Sequence, residues 1–131
     1  MGPPSRMRRG LIARWLRLRP PTCDVVVEHD LVVPMPDGSV LYADHYEPKG
    51  RGKFPTVLIR SPWGRTWKQA PFSIVYLFVA QRFAERGYHV VLNDMRNASG
   101  DANGGWLIHE ASDGKAVLDW ISRQPWFDGN F

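Results

Sequence analysis

Thr56-Val57-Leu58-Ile59 is the stretch from which the fold is read. It is short and apolar at successive positions, as expected of a strand buried on both faces. Tyr88 to Asn93 has the same character. Between the two, Phe72, Val75, Tyr76, Val79 and Phe83 recur at helical spacing, which predicts an amphipathic helix from Phe72. Gly87 follows, where a helix end favours a left-handed residue. A strand, a helix and a second buried strand make a parallel unit with a crossover helix.

Upstream, Val25-Val26-Val27 and Leu31-Val32-Val33 are β-rich and flank a polar step. Pro34-Met35-Pro36-Asp37-Gly38 is turn chemistry: proline presets φ and glycine accepts a positive one. Val40 to Tyr46 returns, so residues 24–46 are expected to form an antiparallel hairpin. Residues 49–53, 61–71 and 94–109 are expected to be loops. Ser112 is the expected N-cap of a last helix that reaches Arg123, with Ala116, Val117, Trp120 and Ile121 on one face. Pro125 forbids its continuation.

The chain has 131 residues, enough for at most one domain. With 44% hydrophobic and 12% aromatic residues it can pack a core. No apolar run approaches the roughly 20 residues that span a bilayer. A single cysteine, Cys23, excludes an internal disulfide and favours a reducing, cytoplasmic compartment or simple indifference to redox. The net charge of +4 is unevenly placed. Residues 1–19 carry six arginines and no acid, leaving 11 basic residues against 13 acidic ones elsewhere. The body therefore lacks the basic surface that nucleic acid requires.

Residues 1–21 are expected to be a basic arm, helical over 5–19 and stopped by Pro20-Pro21. Packing of this arm on the domain is the favoured reading. Contact with an anionic membrane surface is second, because Arg with Trp and Leu suits that interface. A signal peptide comes last, since Arg14, Arg17 and Arg19 interrupt any apolar run.

Val33-Pro34-Met35-Pro36-Asp37-Gly38, Leu41-Tyr42-Ala43-Asp44, Arg60-Ser61-Pro62-Trp63-Gly64-Arg65, Asn93-Asp94-Met95-Arg96 and Gln124-Pro125-Trp126-Phe127-Asp128-Gly129-Asn130 stand in an ordered series. In that order they resemble the CocE/NonD and X-Pro dipeptidyl-peptidase group of α/β-hydrolases, across about residues 24–131. The resemblance implies an α/β fold: an antiparallel hairpin, then parallel β-α-β-α units. It also implies a serine hydrolase that cleaves esters or amides through an acyl-enzyme and needs no cofactor or metal. A small-molecule ester or a peptide would be the substrate.

On the same resemblance, residues 22–131 are expected to be an incomplete hydrolase domain that stops before the nucleophile elbow. The strand Tyr88–Asn93 would then be left with an unpaired edge. None of the serines at 5, 39, 61, 73, 99, 112 and 122 lies in Gly-x-Ser-x-Gly. Ser99-Gly100 comes nearest, but Ala98 precedes it. Triad partners follow the serine in this fold, so His29, His45, His89 and His109 are not expected to be catalytic. Asp101 to Gly105 lacks the alternate-ligand register of a calcium loop. Asn97-Ala98-Ser99 is a glycosylation sequon by pattern alone.

Trp63 is the one candidate site residue. The resemblance places it where the CocE branch has a tyrosine whose hydroxyl serves the oxyanion hole. Indole can donate its N–H there, or form an aromatic wall of the acyl pocket, which is the favoured reading. Asp94 and Arg96 are expected to anchor the loop as ion pairs. The alternative to a hydrolase is a non-catalytic remnant that binds a partner through its basic arm and exposed sheet edge.

Overall fold

The computed structural model describes Leu11, residues 14–96 and residues 105–131, with the side chains of 105–108 left aside. The sequon, Ser99 and residues 101–104 of the calcium-like loop lie outside the described residues, as does most of the arm.

Two strands open the domain, β1 (Asp24–Pro34) and β2 (Val40–Lys49), paired antiparallel with Val33 opposite Leu41. The turn between them closes with Met35 N–H on Ser39 O at 2.8 Å, and Gly38 adopts φ +87°. The polar step in β1 is a bulge between Glu28 and Leu31, not a break. Asp30 sits there at φ 59°, and its N–H donates to Asp44 Oδ1 at 3.0 Å. A short polar side chain tolerates the left-handed region better than a branched one.

The parallel unit follows: β3 (Thr56–Ser61), α1 (Phe72–Ala84) and β4 (His89–Asp94). Gly87 ends the turn after α1 at φ +86°. β3 pairs parallel to β4, and β4 pairs antiparallel to β2, so the spatial order is β1-β2-β4-β3. This corrects one expectation. The strand expected to have an unpaired edge is paired on both sides, and the open edges among the described strands are those of β1 and β3. Spatial order is not chain order: the last strand inserts between two earlier ones. At the start of the β3 edge, Thr56 N–H already donates to Asn130 O at 3.1 Å.

Alternation along the strands feeds two cores, which is why the runs are apolar throughout. Val91 joins Val33, Leu41, Ala43, Val117 and Ile121 on one face. Val90 and Leu92 join Tyr46, Ala80 and Ala84 on the other, with Tyr76 and Leu77 packed against them. The face of α1 differs from the expected one. Phe72, Val75 and Phe83 are exposed, at 58%, 63% and 39%. Ser73, Ala80 and Ala84 are buried instead. Small residues let the helix lie close to the sheet, and of the expected face Tyr76 packs on the core while Phe72, Val75 and Phe83 point away.

The last helix, α2 (Gly105–Ser122), begins seven residues before the expected N-cap. Ser112 is inside it, and its hydroxyl donates back to His109 O at 3.0 Å. The expected face is correct: Val117 and Ile121 are buried, and Ala116 and Trp120 pack beside them. Helix ends before Pro125, as expected.

In the arm, Leu11, Arg14 and Trp15 are helical. Arg17 adopts φ 58°, which turns the chain out of the helix before Pro20-Pro21 is reached. Trp15 is 83% exposed and Leu11 57%, so the favoured packing on the domain is not found at these residues.

Candidate functional site

In sheets of this kind, sites form beyond the carboxyl ends of the parallel strands. The chain leaves β3 at Ser61 and β4 at Asp94, which are partners in the register. Three arginines fix what happens next.

Arg65 stands in the loop after β3 and is 7% exposed. Its Nη1 meets Asp44 Oδ1 at 2.5 Å and Asp30 Oδ1 at 3.0 Å, and its Nε meets Asp94 Oδ2 at 2.9 Å. One guanidinium thus joins the β1 bulge, β2 and the end of β4. Burial alone would lower its proton affinity, but Asp94, Asp44 and Asp30 outweigh that and hold it above its ordinary value. Asp94 moves up, because burial outweighs its attraction to Arg65.

Arg96 grips Asp113 of α2 through Nε and Nη2 at 2.9 and 2.8 Å, and its Nη1 reaches Asp37 in the first turn at 2.9 Å. Such forked contacts fix direction as well as distance. Arg60 grips Glu110 of α2 at 2.7 and 2.9 Å and also bonds Asn93. Asp94 and Arg96 are therefore anchors, as expected, but their partners are Arg65 and Asp113, not each other.

The loop itself is locked locally. Ser61 Oγ donates to Gly64 O at 2.6 Å and accepts from Trp63 N–H at 3.2 Å. Gly64 has φ +84°, and a Cβ there would lie 2.0 Å from the Gln69 side chain. Gln69 needs that space. Its Oε1 accepts from Arg65 N–H at 3.1 Å, Thr66 N–H at 3.2 Å and Thr66 Oγ1 at 3.0 Å.

Trp63 projects from this loop, 49% exposed, with its ring 4.8 Å from that of Phe72 and tilted by 31°. The position next to the carboxyl edge matches the expectation from sequence. The aromatic neighbour was not anticipated, because Phe72 was assigned to the buried face of α1.

The histidines fall in other places. His45 Nε2 and His89 Nδ1 are 2.9 Å apart and buried, with Trp126 stacked at 4.1 and 4.7 Å. His89 begins β4, about 16 Å from Asp94 at the strand rise. His45 is lowered to about 4, first by burial and then by His89; His89 is lowered by burial. His29 Nδ1 lies 3.1 Å from Asp44 Oδ2, beside the Arg65 cluster. His109 lies within α2. Among the described residues no group of histidine, cysteine and acidic side chains could hold a metal ion.

Sequence reasoning assigned no role to Arg60, Arg65, Asp44, Glu110 or Asp113. A usable signal was the acid at Asp44, inside a strand that is otherwise packed. A buried carboxylate demands a cation, and Arg65 is the cation that reaches it.

Comparison with known proteins extends this geometry. The chain is 32% identical over 108 residues to a cocaine esterase from Rhodococcus sp. (strain MB1 Bresler), which covers 79% of this chain and 18% of that protein. A CocE/NonD family hydrolase from Staphylococcus aureus superposes with a TM-score of 0.61 at 25% identity, over 81% of this chain and 22% of its own. Acetyl xylan esterase 1 from Thermoanaerobacterium shares the fold at 16% identity, with a TM-score of 0.55 over 82% of this chain and 42% of its own. The chain thus spans under a quarter of the length of the first two. The pattern of the X-Pro dipeptidyl-peptidase (S15 family) matches residues 37–131, most of the chain and every anchor from Asp37 to Asp113. With its α/β-hydrolase sheet, the chain belongs to that family, in its CocE/NonD-type branch.

Proposed function

We propose that residues 22–131 form the opening part of the catalytic domain of a serine hydrolase, with residues 1–21 as an arm outside it. The substrate class is an ester or an amide, X-Pro dipeptidyl bonds included. A serine outside this sequence attacks the acyl carbon, the leaving group departs, and water releases the acyl group from the enzyme. Residues 1–131 supply no nucleophile in this scheme.

Trp63 carries the reading. It sits on a loop fixed by Ser61, Gly64 and Gln69, at the carboxyl edge, with its ring beside Phe72. We assign it to the acyl pocket as an aromatic wall. The tilted contact with Phe72 supports this, since two rings in contact make a continuous apolar surface.

Two measurements test the proposal. Residues 1–131 alone should neither hydrolyse an activated acyl ester beyond a serum-albumin control nor take up a fluorophosphonate label. Labelling of any of their serines would end the assignment. In the product of the whole reading frame, Trp63→Phe should keep turnover within about tenfold and act mainly on KM. A fall of about 100-fold or more, restored by Trp63→Tyr, would make the indole an oxyanion donor instead.

A further inference from the structure

The chain reaches the domain at one fixed place. Arg86 Nη2 donates to Arg19 O at 2.5 Å, and Thr22 and Cys23 N–H both donate to Glu85 O, at 2.8 and 2.9 Å. The arm therefore projects beside the end of α1, where Phe83 and Tyr88 are 39% and 37% exposed.

On the described part of the arm, large apolar side chains face solvent: Trp15 at 83%, Leu11 at 57%, Leu18 at 40% and Leu16 at 37%. Leu11 and Trp15 are four apart in a helical stretch, hence on one face. Arg14, Arg17 and Arg19 are interleaved with them, and residues 1–21 contain no acid.

We propose that the arm docks on an anionic lipid surface, through Leu11 and Trp15 on one helical face and through Leu18, Arg14, Arg17 and Arg19 around the turn at Arg17. The charge selects an anionic partner, and the apolar side chains select a partner with a hydrocarbon interior. Leucines gain nothing from a phosphate backbone in water, whereas in a bilayer interface they bury while the arginine heads stay among the headgroups. The attachment is peripheral: among the described residues no helix is long and apolar enough to cross a membrane. The inference is independent of the hydrolase reading.

The test uses the full chain and vesicles of pure phosphatidylglycerol or pure phosphatidylcholine. The chain should pellet with the first and remain in solution with the second, and added salt should release it. Arg14→Gln and Arg17→Gln should each weaken pelleting about fivefold. Trp15→Ser should weaken it further with the circular dichroism unchanged, because the side chain is outside the core. The same variant should bind a short DNA duplex as the parent does. Equal pelleting with both lipids, no pelleting with phosphatidylglycerol, or a Trp15→Ser chain that still pellets fully would each overturn the proposal. So would loss of lipid and DNA binding in parallel, which would reveal a general polyanion site.

Discussion

The two ends of β4 are built from opposite chemistry. At its carboxyl end, Asp94 enters a cluster of full charges around Arg65. At its amino end, His89 enters a stack with His45 and Trp126 that is held neutral by burial. The charged end has loops to organise, and ion pairs give those loops fixed directions. The neutral end has only to close the sheet, and flat rings do so without counter-ions. At the loop end charge sets direction, although buried charge stabilises a fold little in itself.

The sharpest way to break this contrast is to remove the cation at the charged end. Arg65→Ala leaves Asp44 fully buried without its principal partner. The expected loss is about 3–5 kcal/mol in urea unfolding. The double variant Arg65→Met with Asp44→Asn should recover part of it, because the fully buried charge of Asp44 is removed while Asp94, partly exposed, still lacks its cation. If the single variant unfolds like the parent, the cluster is not what holds the loop.

The neutral end should respond to acid. The folded value of His45 is about 4, against an ordinary value of 6.5. A depressed histidine stabilises the fold fully above its unfolded pKa, and that stability is lost as pH falls toward the folded value. Between pH 6.5 and 4, stability should therefore decline, and Trp126 fluorescence should change as the stack takes up protons. In His45→Phe the decline over this window should shrink. A profile identical to the parent would show that the pair does not govern it.

The smallest expected effect sharpens the contrast at the loop. Gly64→Ala forces a side chain into a left-handed residue and against Gln69. It should cost more than about 1 kcal/mol by thermal or urea unfolding. Gly38→Ala, at φ +87° with open space around it, isolates the backbone part of that cost. Equal losses at the two positions would mean that the Gln69 contact contributes nothing.

What was legible in the sequence was local. The 34–38 turn, the termination at Gly87, the buried strands and the Val117–Ile121 face all follow from residue type and period. Three features were not. The insertion of β4 between β2 and β3 is non-local, and no period encodes it. The buried face of α1 is carried by Ser73, Ala80 and Ala84, which a search for large apolar side chains passes over. The start of α2 at Gly105 contradicts a stretch whose composition reads as loop. Trp63 lies in the loop after β3, where the resemblance put it, but its contact with Phe72 required the helix orientation.

The central position of β4 has a consequence for how the chain acquires its shape. β2 and β3 are complete in sequence by Lys49 and Ser61, yet the edges they present to each other stay empty until residues 89–94 exist. At about 5–20 residues per second, synthesis leaves the β2 edge open for roughly 2–9 seconds. The β1–β2 hairpin joins neighbours in sequence, whereas Ala43 must wait for Asn93. Loop closure over such separations is slow. We predict that pulse-labelled hydrogen exchange during refolding protects β1 and β2 against each other first, with β3 and β4 protected together afterwards. Protection of β3 before β4 would exclude this sequence of events. During that interval the inner edges of β2 and β3 are open to pairing with other chains, and the arrival of β4 is what closes them.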